Sequence, residues 1–228
     1  MRQPMSNATS ISGHFHAVRF YENKESLCRI VAEFLGEGLV AHHPALVIGT
    51  PEHCAGIVQE LRARHFDVER MQRAGDLLLL DARDFMSTFM VDGVPNAELF
   101  GANAARAIER ICRGRDNISI RAYGEMVDLL WQDGKTTAAV RLEMLWNKLA
   151  MNHDFSLLCG YSMGSFYKDA SVSEICGQHT HVVGLNGMAA PAKRDSPSSP
   201  RVTETSRPSP PKASRSADTA RLDATRRM

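Results

Sequence analysis

Polar residues stand directly behind apolar runs at five places in this chain: Tyr21-Glu22-Asn23, Thr50-Pro51-Glu52, Asp81-Ala82-Arg83, Tyr123-Gly124-Glu125 and Tyr161-Ser162. Carboxylates and phenols so placed can hold a polar ligand. In an open α/β sheet the residues just past the strands converge on one rim, and ligands bind in that crevice. Each group also has a plainer reading. Asn23 and Thr50 are good helix N-caps, and Glu52 and Glu125 are first-turn carboxylates favoured by a helix dipole. Asp81 resembles the Mg²⁺-linked acid that closes an apolar strand in P-loop ATPases, yet it could equally start a turn. Glu125 is read as a site residue, because Gly124 before it admits close approach of backbone. The candidate ligand-binding set is His16, Tyr21, Glu22, Asp81, Tyr123, Gly124, Glu125 and Tyr161.

Several chemistries are excluded by spacing. A P-loop needs G-x-x-x-x-G-K-[ST] between the first strand and its helix, so that backbone amides and a lysine hold the phosphates. The chain has FYENKESL there, with Lys24 but no glycine. His14-x-His16, His42-His43 and His179-x-His181 lack partnering cysteines and H-E-x-x-H spacing, so neither a metal nor any other cofactor is expected. His16 alone is kept. It opens the first strand five residues before Tyr21, and alternation sends the two side chains to opposite faces unless a bulge intervenes.

The elements that must position these groups follow from periodicity. The runs AVRFY (17–21), ALVIGT (45–50), LLLLD (77–81), ISIRAY (118–123) and SLLCGY (156–161) read as strands, several continuously apolar as in a parallel sheet covered on both faces. Helical stripes lie between them: Leu27, Ile30, Val31, Phe34 and Leu35; Ile57, Val58 and Leu61; Phe100, Ala104, Ala107, Ile108 and Ile111; Ala138, Leu142, Leu145, Trp146 and Leu149. Strand alternating with helix predicts a doubly wound α/β fold with a mainly parallel sheet of five or more strands and helices on both faces. VSEICGQHTHVVG (172–184) reads as a last short helix at the edge.

The formal charge of +1 hides an asymmetry, because nine Lys/Arg stand against four Asp/Glu from Ala189 onward and the remainder is acidic. An acidic folded part argues against a nucleic-acid groove. The segment from 188 to 228, rich in Pro, Ser and Arg, cannot bury enough apolar surface to order itself and is predicted to be a disordered basic tail. Weak contact with nucleic acid is expected through that tail alone. Residues 1–13 are expected to be flexible and 14–187 to form the domain. The five cysteines never form C-x-x-C; Cys28, Cys54, Cys112 and Cys159 fall in apolar patterns and read as reduced thiols. With no apolar signal region and no run of membrane-spanning length, a cytoplasmic location is expected.

In LEMLWNKL, Glu143, Trp146 and Asn147 lie one turn apart. They read either as a core tryptophan between solvated polar groups or as a carboxylate locking a neighbouring loop. Together with HFHAVRFYENKESL, FMVDGVP, YGEMVDLLWQDG, LLCGY and IC-x-x-H-x-x-V, this segment resembles the MEDS family of bacterial and archaeal sensory domains over roughly His14 to Val183. The resemblance implies a RecA/KaiC-like core without a working nucleotide loop. It also implies a non-catalytic role in signal transduction, sensing a small organic molecule, with a histidine kinase or transcription regulator as partner. By resemblance His16, Tyr21, Gly124, Glu125, Glu143, Trp146 and Asn147 occupy characteristic positions. A divergent nucleotide-binding protein or NTP hydrolase is the alternative.

Overall fold

A computed structural model describes residues 15–115, 118–165, 172–183 and 189–191. In chain order the elements are β1 (His16–Tyr21), α1 (Lys24–Val40), β2 (Ala45–Gly49), α2 (Pro51–Ala63), α3 (Val68–Ala74), β3 (Leu77–Asp81), α4 (Ala82–Ser87), β4 (Met90–Val91), β5 (Val94–Pro95), α5 (Ala97–Cys112), β6 (Ile120–Gly124), α6 (Met126–Gln132), α7 (Thr136–Ala150), β7 (Phe155–Ser162), α8 (Val172–Gln178), β8 (His181–Val183) and β9 (Ala189–Pro191). Six strands run parallel in the order β3-β2-β6-β7-β1-β8. β9 closes the sheet by pairing antiparallel with β8.

The five runs expected as strands are all strands, although the fourth begins at Ile120 rather than at residue 118. Two layers of side chains cover the sheet. Leu27, Val31 and Leu35 of α1 and Ile57 and Leu61 of α2 pack on one face. On the other, Phe100 and Ile108 of α5, Trp131 of α6 and Leu142 and Trp146 of α7 form the larger core. β3 is only partly buried beyond Leu77, because it lies at the sheet edge.

Helix starts follow local chemistry. Asn23 accepts from the Ser26 amide, Thr50 from the His53 amide ahead of Pro51, and Asp81 from the amides of Arg83 and Asp84. These caps satisfy amides that have no partner within the helix.

Three segments depart from the sequence reading. The stretch 172–184 was expected to be a single helix, but only Val172–Gln178 is helical and His181–Val183 pairs with β1. The β-branched pair Val182-Val183 suits a strand, and the helix stops where His179 turns the chain. Phe89 to Asn96 holds a hairpin, β4–β5, whose turn residues Asp92 and Gly93 both take positive φ. That is the Asp-Gly signature of a type I′ turn. Ala189–Pro191, assigned from composition to the tail, forms β9. The rest of that tail and the N-terminal segment 1–13 lie outside the described residues.

Candidate functional site at the carboxyl rim

The ends of β2, β6, β7 and β1 are tied together by two buried carboxylates. Glu125 follows β6 and is 2% exposed. It occupies the N-cap position of α6 but makes no capping bond. Its Oε1 accepts from the Thr50 amide at the end of β2. Its Oε2 meets His53 Nδ1 at 2.5 Å and accepts from the Tyr123 hydroxyl at 2.9 Å. Asp128, one turn into α6, is equally buried. Its Oδ1 accepts from the Ser162 amide (3.1 Å), and its Oδ2 from the Tyr21 hydroxyl (3.1 Å) and Gln132 Nε2 (2.7 Å). The Tyr21 ring stands edge-on to His53, with centroids 5.8 Å apart. His53, its side chain 15% exposed, opens the Glu125 end of this network toward water, and the exposed Gln132 opens the Asp128 end.

Environment pushes the two carboxyls apart. Burial raises the Asp128 carboxyl to about 6, against the hydrogen bonds from Ser162, Tyr21 and Gln132 that oppose the shift. For Glu125 burial also raises, but the bond and charge of His53 and the Thr50 amide outweigh it, so this carboxyl sits below its ordinary value. The His53 imidazole is raised in turn by its bond to Glu125. The rim therefore sets a carboxyl held down by its bond to His53 beside one pushed up to about 6.

A pH dependence follows. Asp128 keeps its proton in the folded chain up to about 6, whereas its ordinary value is 3.8. Between those values the folded state binds more protons than the unfolded one, so stability falls as pH rises and levels off above the folded value. Glu125 acts with the opposite sign, its contribution being lost as pH falls through its lowered value. Urea unfolding of wild type and Asp128→Asn from about pH 4 to pH 6, below the range where His53 titrates, is expected to show the decline in wild type and its absence in the variant. Parallel profiles would mean that Asp128 is not held as an acid.

Of the sequence-predicted residues, Tyr21, Tyr123, Gly124 and Glu125 come together here. Glu22 is exposed and takes no part in this network, and Asp81 serves as the N-cap of α4. Gly124 is buried, but a Cβ built there would meet no atom within 4 Å, so no close backbone approach explains the glycine. At Gly160 a Cβ would lie 2.8 Å from the Tyr123 hydroxyl, so a side chain there would push this ring out of its place. His53 and Asp128 were not foreseen. Asp128 did leave a signal, being the one charge inside the apolar run Met126–Trp131.

His16 and Tyr161 belong to a second group on the opposite face, in keeping with the alternation of His16 and Tyr21. Glu143 of α7 is wholly buried there. It accepts from the Tyr161 hydroxyl at 2.8 Å and lies 3.2 Å from His16 Nε2 and 3.4 Å from His179 Nε2. Cys159 Sγ is 3.3 Å from His16 Nε2 and 3.6 Å from Glu143 Oε2. Asn147 bridges His16 Nδ1 (2.9 Å) to the Gln178 carbonyl (2.9 Å), and neither it nor Glu143 is a solvated polar group. Trp146 is core, edge-on to Phe100 and Phe155.

The family profile described as "MEthanogen/methylotroph, DcmR Sensory domain" matches residues 15–180. The chain belongs to the MEDS family. None of the curated proteins compared matches this MEDS domain. Among solved structures, a KaiC-like protein from the hyperthermophilic archaeon Pyrococcus horikoshii OT3 superposes with a TM-score of 0.47 at 12% identity, covering 73% of this chain and 70% of that one. As a MEDS member the protein carries a sensory domain. Among the described residues no helix is long and apolar enough to cross a membrane.

Proposed function

We propose that this MEDS domain is a non-catalytic input module that binds a small organic molecule at the carboxyl rim and passes the change to a regulatory protein partner. The observation that carries this reading is the pair of buried carboxylates joining four strand ends, with the partly exposed His53 at their edge. A polar ligand that competes for the Tyr21 hydroxyl or the His53 imidazole would loosen contacts between α2, α6 and the ends of β1 and β7. A local exchange of hydrogen bonds would thereby become a movement of elements, which is what a sensor requires. FYENKESL supplies Lys24 to the region, but this lysine bonds Glu52 at 2.7 Å.

The test is a thermal-shift panel of small alcohols, amines, carboxylic acids and nucleotides on wild type, Tyr21→Phe and His53→Asn. A ligand bound to the folded state raises the melting temperature. Stabilisation in wild type that shrinks in both variants supports the rim. Stabilisation of equal size in all three proteins would move the site elsewhere. Release of phosphate from ATP or GTP that is lost in Glu125→Gln would instead favour a divergent nucleotide hydrolase.

A further inference from the structure

The buried group on the α7–α8 face has the geometry of a metal centre. The ligating atoms of His16, Glu143, Cys159 and His179 all lie within 4.8 Å of one another, and all four residues are buried. Metal bonds of about 2.0–2.1 Å to nitrogen or oxygen and about 2.3 Å to sulfur set the edges of a tetrahedron at roughly 3.3–3.6 Å. Four of the six separations are 3.2, 3.3, 3.4 and 3.6 Å, with Oε2 of Glu143 toward His16 and Cys159 and Oε1 toward His179.

Both imidazoles are turned the way metal ligands are turned. The Gln178 carbonyl can only accept, so Asn147 gives it the amide N–H and presents Oδ1 to His16. His16 Nδ1 is therefore the protonated nitrogen, and Nε2 faces Glu143 and Cys159. His179 Nδ1 lies 2.7 Å from the Ile175 carbonyl, which fixes the same tautomer. A ring N–H held by a carbonyl or amide oxygen, with the other nitrogen facing inward, is the outer-shell pattern of ligating histidines.

An independent observation points the same way. His179 Nε2 is fully buried and has no hydrogen-bond partner, although Glu143 Oε1 is 3.4 Å away. Burying such a nitrogen without a partner is costly. A cation among the four donors would satisfy it.

We propose that His16 Nε2, Glu143, Cys159 Sγ and His179 Nε2 form a closed, four-coordinate site for a divalent cation of the zinc class. Nitrogen, oxygen and thiolate together suit zinc, and four protein ligands leave no open position for catalysis. Binding would release the Cys159 proton to solvent. A divalent ion with one thiolate, one carboxylate and two neutral imidazoles is uncharged overall, which suits a buried place. The site would fasten the segment after α8 to β1, β7 and α7, so metal occupancy would govern the docking of that edge.

The full chain, reduced and stripped with a chelator, is titrated with Zn²⁺ or Co²⁺ alone. Wild type is expected to bind a single equivalent and to melt higher with it. The Co²⁺ form should show tetrahedral ligand-field bands and a thiolate-to-cobalt charge-transfer band. Cys159→Ser should lose the charge-transfer band, and Asn147→Ala, which touches no metal, should weaken binding about 10–100-fold. A wild type that binds no metal would overturn the proposal. So would an undiminished charge-transfer band in Cys159→Ser, or equal affinity in all the variants, since surface histidines would then be the ligands.

Discussion

Trp146→Ala is expected to cost this domain about 3–5 kcal/mol, the usual range for removing a large buried aromatic side chain. Trp146 is 3% exposed and sits where α5, α7 and β7 meet. Its ring stands edge-on to Phe100 at 4.9 Å and to Phe155 at 6.0 Å. Phe100 in turn meets Phe89 edge-on at 5.3 Å, so the substitution opens one end of a chain of aromatic contacts. Such contacts add to the loss of buried area. For a domain of this size the drop corresponds to roughly 6–20 °C in melting temperature. A fall of only a degree or two would place Trp146 outside the core and return it to a surface role in partner docking.

Glu125→Gln is the second large effect. As a helix-start charge alone, Glu125 would be worth about 0.3–1 kcal/mol. The structure makes it the acceptor for the Thr50 amide, His53 and the Tyr123 hydroxyl at once. Glutamine keeps one carbonyl oxygen and sets an amide N–H₂ against groups that are themselves donors. Leaving a buried donor unsatisfied and breaking the pair with His53 should together cost about 2–4 kcal/mol. The double variant Glu125→Gln/His53→Gln should cost less than the sum of the two single variants, by about 0.5–3 kcal/mol, because the two residues share one interaction. Equilibrium unfolding in urea checks both figures. Additive single effects, or a loss below 1 kcal/mol, would reduce Glu125 to a residue that merely opens α6.

How far the chain could be read from its residues depended on what each signal measures. The five strands were legible because continuous apolar runs bounded by polar residues have few other uses. β8 was not, since three residues after a helix carry too little pattern. The hairpin was announced by Asp92-Gly93, but its strands are two residues long and add no alternation. At the rim, Tyr21, Tyr123 and Glu125 could be placed because they end strands. His53 could not, because one turn into α2 it looks like any half-exposed helical residue. Asp128 was legible only as the one charge in the apolar run Met126 to Trp131, and its partners Tyr21 and Ser162 lie far from it in sequence.

The group on the other face was the least legible. Its four members are contributed by β1, α7, β7 and the chain after α8, and only their packing brings them within reach. Metal motifs are recognised when ligands are close in sequence. Here His179 appeared only as a member of an H-x-H pair, and His16 was kept as a first-strand candidate without any of its partners in this group.

The central claim, that the carboxyl rim is the sensing site, is tested most directly by amide chemical-shift mapping with a compound that raises the melting temperature. The account predicts the largest shifts at the Thr50 and Ser162 amides, which Glu125 and Asp128 hold, with the His53 ring and the first turns of α2 and α6 moving alongside. Shifts that leave those amides untouched and gather elsewhere, as along Val140, Met144 and Glu174 in the groove on α7 and α8, would contradict it.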